Sequence, residues 1–359
     1  MAAAARPARV MICDDSAVIR GAIAQILTAD PGIEIIAKVA NGRAAVDALK
    51  LHDIDVVVLD IEMPVMDGLT ALPLLLAASP GISVIIASSL TTRGADVSMK
   101  ALRLGAADYL PKPSAAQLAG DQRFGPDLIA KVRGLARMRH SLKAATPAAP
   151  PGARFTLRPA PRNPPRLLAI GSSTGGPNAL FSLVQQLSPK IPIPVVLTQH
   201  MPATFTPILA EHINRLGVLP CAEAKEGDAI LPGRILLAPG DHHFLVRRQG
   251  AGLVAHITDT PPENFCRPSV DPMLRSACEA VDGRVLVAML TGMGQDGFLG
   301  TRKIIEAGGA LVAQDEASSV VWGMPGVVAK AGLAHAVLPL SQIGAKLMAM
   351  MAGAGAARG

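Results

Sequence analysis

Leu167-Leu168-Ala169-Ile170-Gly171-Ser172-Ser173-Thr174-Gly175-Gly176-Pro177 is an apolar run that breaks on a Gly/Ser turn and restarts at a proline suited to the first turn of a helix. Such a run reads as a buried strand, a tight turn and a helix, the repeating unit of a parallel α/β sheet. A serine on that turn has its hydroxyl exposed, with backbone N–H groups of the next turn close by, which is where an acyl-transfer nucleophile belongs. Outward from it, Pro194–Thr198, Arg234–Ala238 and Val285–Leu290 are further strand-like segments. The first leads to His200 and the last to Asp296. Ser173, His200 and Asp296 each follow a buried strand, and together they supply a nucleophile, a base and an acid to orient the base.

The spacing Gly171-x-Ser173-x-Gly175 fits the nucleophile elbow of α/β-hydrolases, but the chain order Ser, His, Asp does not. Triads are defined by geometry and role, so a new order is admissible. The N–H groups after Ser173, beginning with Thr174, and that of Met293 in Thr291-Gly292-Met293-Gly294 are the candidate oxyanion donors. A Gly/Ser loop after a strand also suits a phosphate or dinucleotide site. Here the Gly-Lys-Ser/Thr of a P-loop is absent, and no acid follows at the ~20 residues a ribose partner would need. Taken singly, His200 reads equally well as a core histidine and Asp296 as a turn residue before Gly297.

The N-terminal part alternates in the same way. Arg9–Cys13 ends at Asp14-Asp15, Val56–Leu59 ends at Asp60, Ser83–Ala87 ends at Ser88-Ser89, and Asp108–Leu110 leads to Lys112-Pro113. Val18, Ile19, Ala22, Ile23, Ile26 and Leu27 form a helical stripe that Pro31-Gly32 stops. The expected fold is a doubly wound parallel sheet with its site at the carboxyl ends of the strands. Asp14, Asp15 and Asp60 converge there and repel one another unless a cation is present, and Mg²⁺ is the fitting ion. One carboxylate can then attack a phosphoryl group, with Ser88 and Lys112 placed to bind its oxygens. The alternative is that these acids only cap helices. Pro73 and Pro111 are expected to bend their segments.

Half of the 359 residues are hydrophobic, and that length implies two domains. From Leu128 to Arg166 there is no Asp or Glu, and nine Lys and Arg residues fall there. The net charge of +6 therefore resides in one segment and does not describe a nucleic-acid-binding domain. The same region holds a Pro/Ala/Arg-rich stretch without apolar periodicity, read as a linker. The resulting division is 8–140, a linker 141–165, a second domain 166–350 and a disordered tail 351–359. The four cysteines (Cys13, Cys221, Cys266, Cys278) show no metal or CxxC spacing and read as reduced thiols in or near cores. His242-His243 reads as surface. The start has no signal-peptide order and no apolar run reaches ~20 residues, so a cytoplasmic protein without membrane insertion is expected.

Two sets of motifs carry a resemblance. Cys13-Asp14-Asp15-Ser16, Leu59-Asp60-Ile-Glu-Met-Pro-Val-Met-Asp-Gly68, Ala87-Ser88-Ser89 and Pro111-Lys112-Pro113 resemble those of response-regulator receiver domains. Ala169-Ile-Gly-Ser-Ser173-Thr-Gly-Gly-Pro177, Thr198-Gln-His200-Met-Pro202, Arg267-Pro-Ser-Val-Asp271 and Leu290-Thr-Gly-Met-Gly-Gln-Asp296-Gly297 resemble the catalytic domain of chemotaxis protein-glutamate methylesterases, the CheB family. Ser172 stands where that family commonly has Ala, and Gln295 where it often has Asn. The resemblance implies an N-terminal flavodoxin-like receiver and a C-terminal doubly wound parallel-sheet methylesterase domain. It implies Asp60 as phosphoacceptor, Asp14 and Asp15 with Asp60 as Mg²⁺ ligands, and Ser88, Tyr109 and Lys112 as switch residues. It selects Ser173 over Ser172 as nucleophile, with His200 and Asp296, and needs no cofactor for hydrolysis. The implied substrates are glutamate γ-methyl esters and glutamines of chemoreceptors, and the implied phosphodonor is a chemotaxis histidine kinase. Arg267 is a candidate for positioning substrate, a salt-bridged surface arginine being the alternative. Two other readings stay open: a phosphorylation-controlled binding module without catalysis, and a general serine esterase or amidase acting on small molecules.

Overall fold

The computed structural model describes residues 6–112, 124–143, 155–159, 161 and 163–352. Pro113, most of the Pro/Ala/Arg-rich stretch and residues 353–359 lie outside them. The chain divides into two compact units, Met1–Ala148 and Ala149–Gly359.

The first unit alternates β1 (Ala8–Cys13), α1 (Ala17–Thr28), β2 (Ile33–Val39), α2 (Gly42–Ala48), β3 (Val56–Asp60), α3 (Gly68–Ala78), β4 (Ser83–Ser88), α4 (Thr92–Arg103), β5 (Asp108–Pro111) and α5 (Phe124–Lys143). The strands form one parallel sheet in the order β2-β1-β3-β4-β5, the flavodoxin-like order. Each residue of β3 is buried, as a central parallel strand covered on both faces requires. Helix starts are set by local chemistry: the side chains of Ser16, Asn41, Asp67 and Thr91 each accept a backbone N–H of the first turn of α1, α2, α3 and α4. Pro73 lies inside α3, which continues past it to Ala78, and Pro111 is accommodated at the end of β5 opposite Ser88.

The second unit contains β6 (Leu167–Ser172), α6 (Gly176–Gln186), β7 (Val195–Gln199), α7 (Thr206–Asn214), β8 (Cys221–Glu223), β9 (Ile235–Leu237), β10 (His243–Gln249), β11 (Gly252–Thr258), α8 (Val270–Ala280), β12 (Val285–Met289), α9 (Phe298–Glu306), β13 (Ala310–Gln314), α10 (Met324–Lys330), β14 (Ala336–Leu338) and α11 (Leu340–Ala352). Its seven-stranded parallel sheet has the order β14-β13-β12-β6-β7-β9-β8, and β10 and β11 pair separately as an antiparallel ribbon. Strands β6, β7, β12 and β13 are wholly buried, which accounts for their continuous apolar runs. Helix α6 lays Ala179, Leu180, Leu183 and Val184 inward at helical spacing. A core running from Leu167 and Val196 through Met273, Val287 and Leu311 joins the central strands to α8. Residues 155–159 lie against this unit: the Arg158 N–H donates to the Ala334 carbonyl at 2.9 Å, and the Phe155 ring lies 5.6 Å from that of Trp322.

Candidate active site

In the second sheet, β6 is flanked by β7 on one side and β12 on the other, so the strand order reverses at β6. The crevice outside the carboxyl ends of the strands at such a point is where α/β sheets bind ligands. Ser173 lies in the turn after β6, and its N–H donates to the Thr291 carbonyl beyond β12 at 3.0 Å. His200 follows β7, and its N–H donates to the Ser172 carbonyl at 3.2 Å. The backbone turn at Gly175 adopts φ +74, a left-handed conformation suited to glycine, and a Cβ there would stand 2.5 Å from Val320. At Gly176 a Cβ would meet the Gln199 carboxamide at 1.9 Å. The two glycines thus let α6 start hard against the end of β7.

His200 Nε2 lies 2.7 Å from Asp296 Oδ2. Asp296, 2% exposed, is caged by donors. Its Oδ1 accepts from the Ser269 hydroxyl at 2.7 Å, Asn264 Nδ2 at 2.9 Å and the N–H groups of Asp271 and Gly297 at 3.1 and 2.8 Å. Its Oδ2 also accepts from the Val270 N–H at 2.6 Å, in the first turn of α8. Burial opposes the Asp296 charge, but the His200 hydrogen bond and charge and these donors outweigh it and hold the carboxyl down at about 2. An ionised carboxylate only accepts, so His200 Nε2 carries its proton whatever the charge of the ring. Proton gain and loss therefore occur at Nδ1, which lies 3.5 Å from Cys266 Sγ. Burial disfavours the imidazolium too, yet the hydrogen bond to Asp296 and the contact with Cys266 raise His200 to about 10.

The structure thus joins His200 to Asp296 and places Ser173 on the neighbouring strand end, but no hydrogen bond links Ser173 to His200 among the described residues. Asp296 sits beyond the end of β12, in the turn that precedes α9, rather than directly at the strand terminus. Thr174 is buried and its carbonyl accepts from the Thr291 hydroxyl at 2.8 Å. Met293 is 36% exposed and follows Gly292, whose N–H donates to the Val321 carbonyl at 2.9 Å. Adding a Cβ at Gly292 would bring it within 2.9 Å of Ser173 Cβ, so the Met293 turn abuts the serine turn. Arg267 is half-buried and uses its guanidinium on the carbonyl oxygens of Asp259 and Thr260, at 3.0 and 3.3 Å, and it makes no salt bridge among the described residues.

One expectation needs correction. His243 is fully buried at the start of β10, on the face opposite the core residues Phe244 and Val246, because the Pro261 and Ser269 backbone closes over its ring. Its Nε2 donates to the Pro261 carbonyl at 3.1 Å, while Nδ1 accepts the Ser269 N–H at 3.2 Å. The four cysteines are free thiols: Cys13, Cys221 and Cys278 are buried, and Cys266 is half-buried beside His200.

At the corresponding end of the first sheet, Asp14, Asp15 and Asp60 each bring an oxygen within 4.8 Å of the others. The Lys112 ammonium lies 2.8 Å from both Asp14 Oδ2 and Asp60 Oδ2. Burial raises the Asp60 pKa and the Asp14 charge adds to this, against the opposing effect of Lys112. Asp60 Oδ1 accepts the Ile61 N–H at 2.6 Å. Ser88 is buried at the end of β4, its hydroxyl 2.6 Å from that of Ser98. Tyr109 is buried in β5 with the Lys131 ammonium 5.7 Å from its ring centre, and burial pushes its phenol well above the usual range.

The CheB methylesterase family model matches residues 168–347, and the response regulator receiver domain model matches residues 10–119. The protein-glutamate methylesterase/protein-glutamine glutaminase of Azospirillum brasilense is 51% identical over 366 aligned positions, covering 96% of this chain and 92% of its own. The chain belongs to the CheB family. A CheB-family relative from Paramagnetospirillum magneticum, of the same printed name with the number 1, is 49% identical, with 96% of each chain covered. The crystal structure of the Thermotoga maritima CheB methylesterase catalytic domain is 37% identical and covers 51% of this chain and 97% of its own, with a TM-score of 0.50. In this CheB-family chain, sequence reading missed Asn264, Ser269 and Gln199 as parts of the site. Their signal was proximity to quoted motifs: Ser269 lies inside Arg267–Asp271 and Gln199 immediately precedes His200. Asn264 offered no signal beyond its residue type.

Proposed function

We propose that the chain is a protein-glutamate methylesterase and protein-glutamine glutaminase whose hydrolase unit is controlled by phosphorylation of Asp60. The observation that carries the hydrolase reading is the His200–Asp296 pair at 2.7 Å, set at the sheet's switch point beside the turn bearing Ser173. The CheB-family relatives' printed names supply the two activities. The substrates are glutamate γ-methyl esters and glutamine side chains on the cytoplasmic helices of chemoreceptors. The chain then acts in the cytoplasm, and no helix among the described residues is long and apolar enough to cross a membrane.

Ser173 Oγ attacks the side-chain carbonyl while His200 Nδ1 takes its proton. Asp296 keeps Nε2 protonated and stabilises the imidazolium that forms. The negative oxygen of the tetrahedral intermediate faces the N–H groups of Thr174 and Met293. Collapse expels methanol, or ammonia from glutamine, with the proton returned by His200. Water then cleaves the glutamyl–Ser173 ester by the same route. An ester and a carboxamide present the same carbonyl and share this intermediate, so one site performs both reactions without a cofactor. Arg267, held against the backbone beside Cys266, orients the substrate helix.

In the receiver, Asp14, Asp15 and Asp60 supply hard oxygen donors within 4.8 Å of one another, a set that fits Mg²⁺. When bound, that ion neutralises charge as a phosphoryl group passes from a chemotaxis histidine kinase to Asp60. Lys112, already within 2.8 Å of Asp60, pairs with the phosphoryl oxygens, and Ser88 and Tyr109 relay the change. Methanol release from methylated receptor, with Mg²⁺ and a small-molecule phosphodonor, tests the reading. Release that vanishes in Ser173→Ala supports it, and no release from wild type carrying phosphorylated Asp60 rejects it in favour of a binding module.

A further inference from the structure

Cys266 is held in place more firmly than a surface loop cysteine. It closes a tight turn with Glu263, the N–H and carbonyl groups of the two residues pairing at 2.9 and 3.2 Å. Between them Asn264 and Phe265 both adopt left-handed backbone, at φ 52 and 62. The turn is pinned from outside by Arg275, which donates to Glu263 Oε1 at 2.6 Å, and from inside by Asn264, which donates to Asp271 and Asp296. These restraints direct the Cys266 sulfur to the ring nitrogen of His200 that exchanges protons, 3.5 Å away. The other three thiols are enclosed, and burial pushes Cys13 and Cys221 up to about 12. A thiol beside an imidazole whose exchanging nitrogen is neutral has a proton acceptor at hand and is activated as a nucleophile.

We infer that Cys266 is a thiol-modification site at which a low-molecular-weight disulfide switches the hydrolase off. The inference rests on the reading of His200 as the base for Ser173. With the His200 ring neutral at Nδ1, the state that hydrolysis also requires, the Cys266 sulfur gives its proton to Nδ1 and attacks one sulfur of the disulfide. A new S–S bond forms, the old one breaks, and the leaving thiolate departs with the electron pair and takes the proton from His200. Cys266 is oxidised to a mixed disulfide and half of the incoming molecule is reduced to a thiol, so no other oxidant is needed. The attached group then occupies the space facing Nδ1 and denies Ser173 its proton acceptor. Excess thiol reverses the exchange.

The test treats the full chain with hydroxyethyl disulfide. Intact mass and peptide mapping locate the adduct, and Ser173 labelling by a fluorophosphonate is followed alongside methanol release. The expected result is one adduct at Cys266, with labelling and release both reduced on the order of 10²-fold, the loss of a general base, and restored by dithiothreitol. For Cys266→Ser, the ratio of treated to untreated rates stays near one. If that variant does not fold, mapping and reversal in the wild type still decide. An adduct at Cys266 that leaves Ser173 labelling intact overturns the inference, as does inhibition with the adduct elsewhere. Labelling that is lost on Cys266 modification, in a protein that never releases methanol, supports the thiol site while rejecting the proposed substrate.

Discussion

The Ser172 hydroxyl donates to Oε1 of Gln199 at 2.7 Å, with both residues essentially buried. That bond fixes which way the carboxamide faces. Its Nε2 therefore donates to the carbonyl oxygens of Ser173 and His200, each at 3.0 Å, and ties the Ser173 turn to the His200 turn.

Gln199→Leu leaves two part-buried carbonyls and a buried hydroxyl without these partners, at a cost of about 2–3 kcal/mol. The turns at Ser173 and His200 then lose their common restraint. Methanol release is expected to show a fall in kcat with KM little changed, and thermal unfolding a lower Tm. Ser172→Ala orphans one acceptor and costs about 1–2 kcal/mol. A Gln199→Leu protein with wild-type kcat would show that the clamp does not position the site.

Asp296→Asn replaces an acceptor by an amide and removes the reason for Nε2 to carry the proton. By analogy with other serine hydrolases, kcat is expected to drop by about 10⁴-fold. Ser173→Ala is expected to drop by at least about 10³-fold. Combining the two should cost little more than either alone, because the residues act as a unit. Single-turnover methanol release from the three variants checks this, and additive losses would break the triad reading.

The pH response follows from the same pair. His200 is raised above its ordinary 6.5 in the fold, so its stabilising contribution is complete below that pH and is lost as pH rises through about 10. Asp296 is held below 3.8, so its contribution is present above that pH and is lost as pH falls through about 2. The proposed mechanism needs the neutral ring at Nδ1, so kcat/KM should climb with pH through a midpoint well above 6.5. The sulfur of Cys266 is among the groups that raise His200, so Cys266→Ser should move that midpoint downward. A pH–rate profile of both proteins decides, and an unmoved midpoint would remove Cys266 from this role.

Lys112 holds Asp14 and Asp60 together. Lys112→Met should therefore destabilise the receiver by on the order of 2–3 kcal/mol, less than for a fully buried pair, because the lysine side chain is 21% exposed. Mg²⁺ should restore much of the loss, which thermal unfolding with and without the ion measures. Asp60→Asn should bring the ratio of methanol release with and without phosphodonor to one. Phosphodonor activation that survives this change would place the phosphoacceptor elsewhere.

The alternation of buried strands and helices was legible because central parallel strands are apolar along their whole length, as β3, β6 and β12 are. Strands β2, β8, β13 and β14 and the β10–β11 ribbon went unread. Strand β2 is only partly buried and β8 and β14 have three residues each, so their patterns are weak, and β13 is a five-residue apolar run whose period alone does not separate strand from helix.

The sequence by itself determined the two α/β units, the glycine turn that carries Ser173, and the strand-end positions of Asp14, Asp60, Lys112 and His200, since each rests on a pattern a few residues long. Tertiary structure alone decided which nitrogen of His200 meets Asp296, how Asn264 and Ser269 cage that carboxylate, and why Cys266 faces His200 while His243 is buried. His200 and Asp296 stand 96 residues apart, and Cys266 and His200 stand 66 apart. Those meetings depend on sheet register and on the packing of the turn before α8, and no local stretch of sequence contains either.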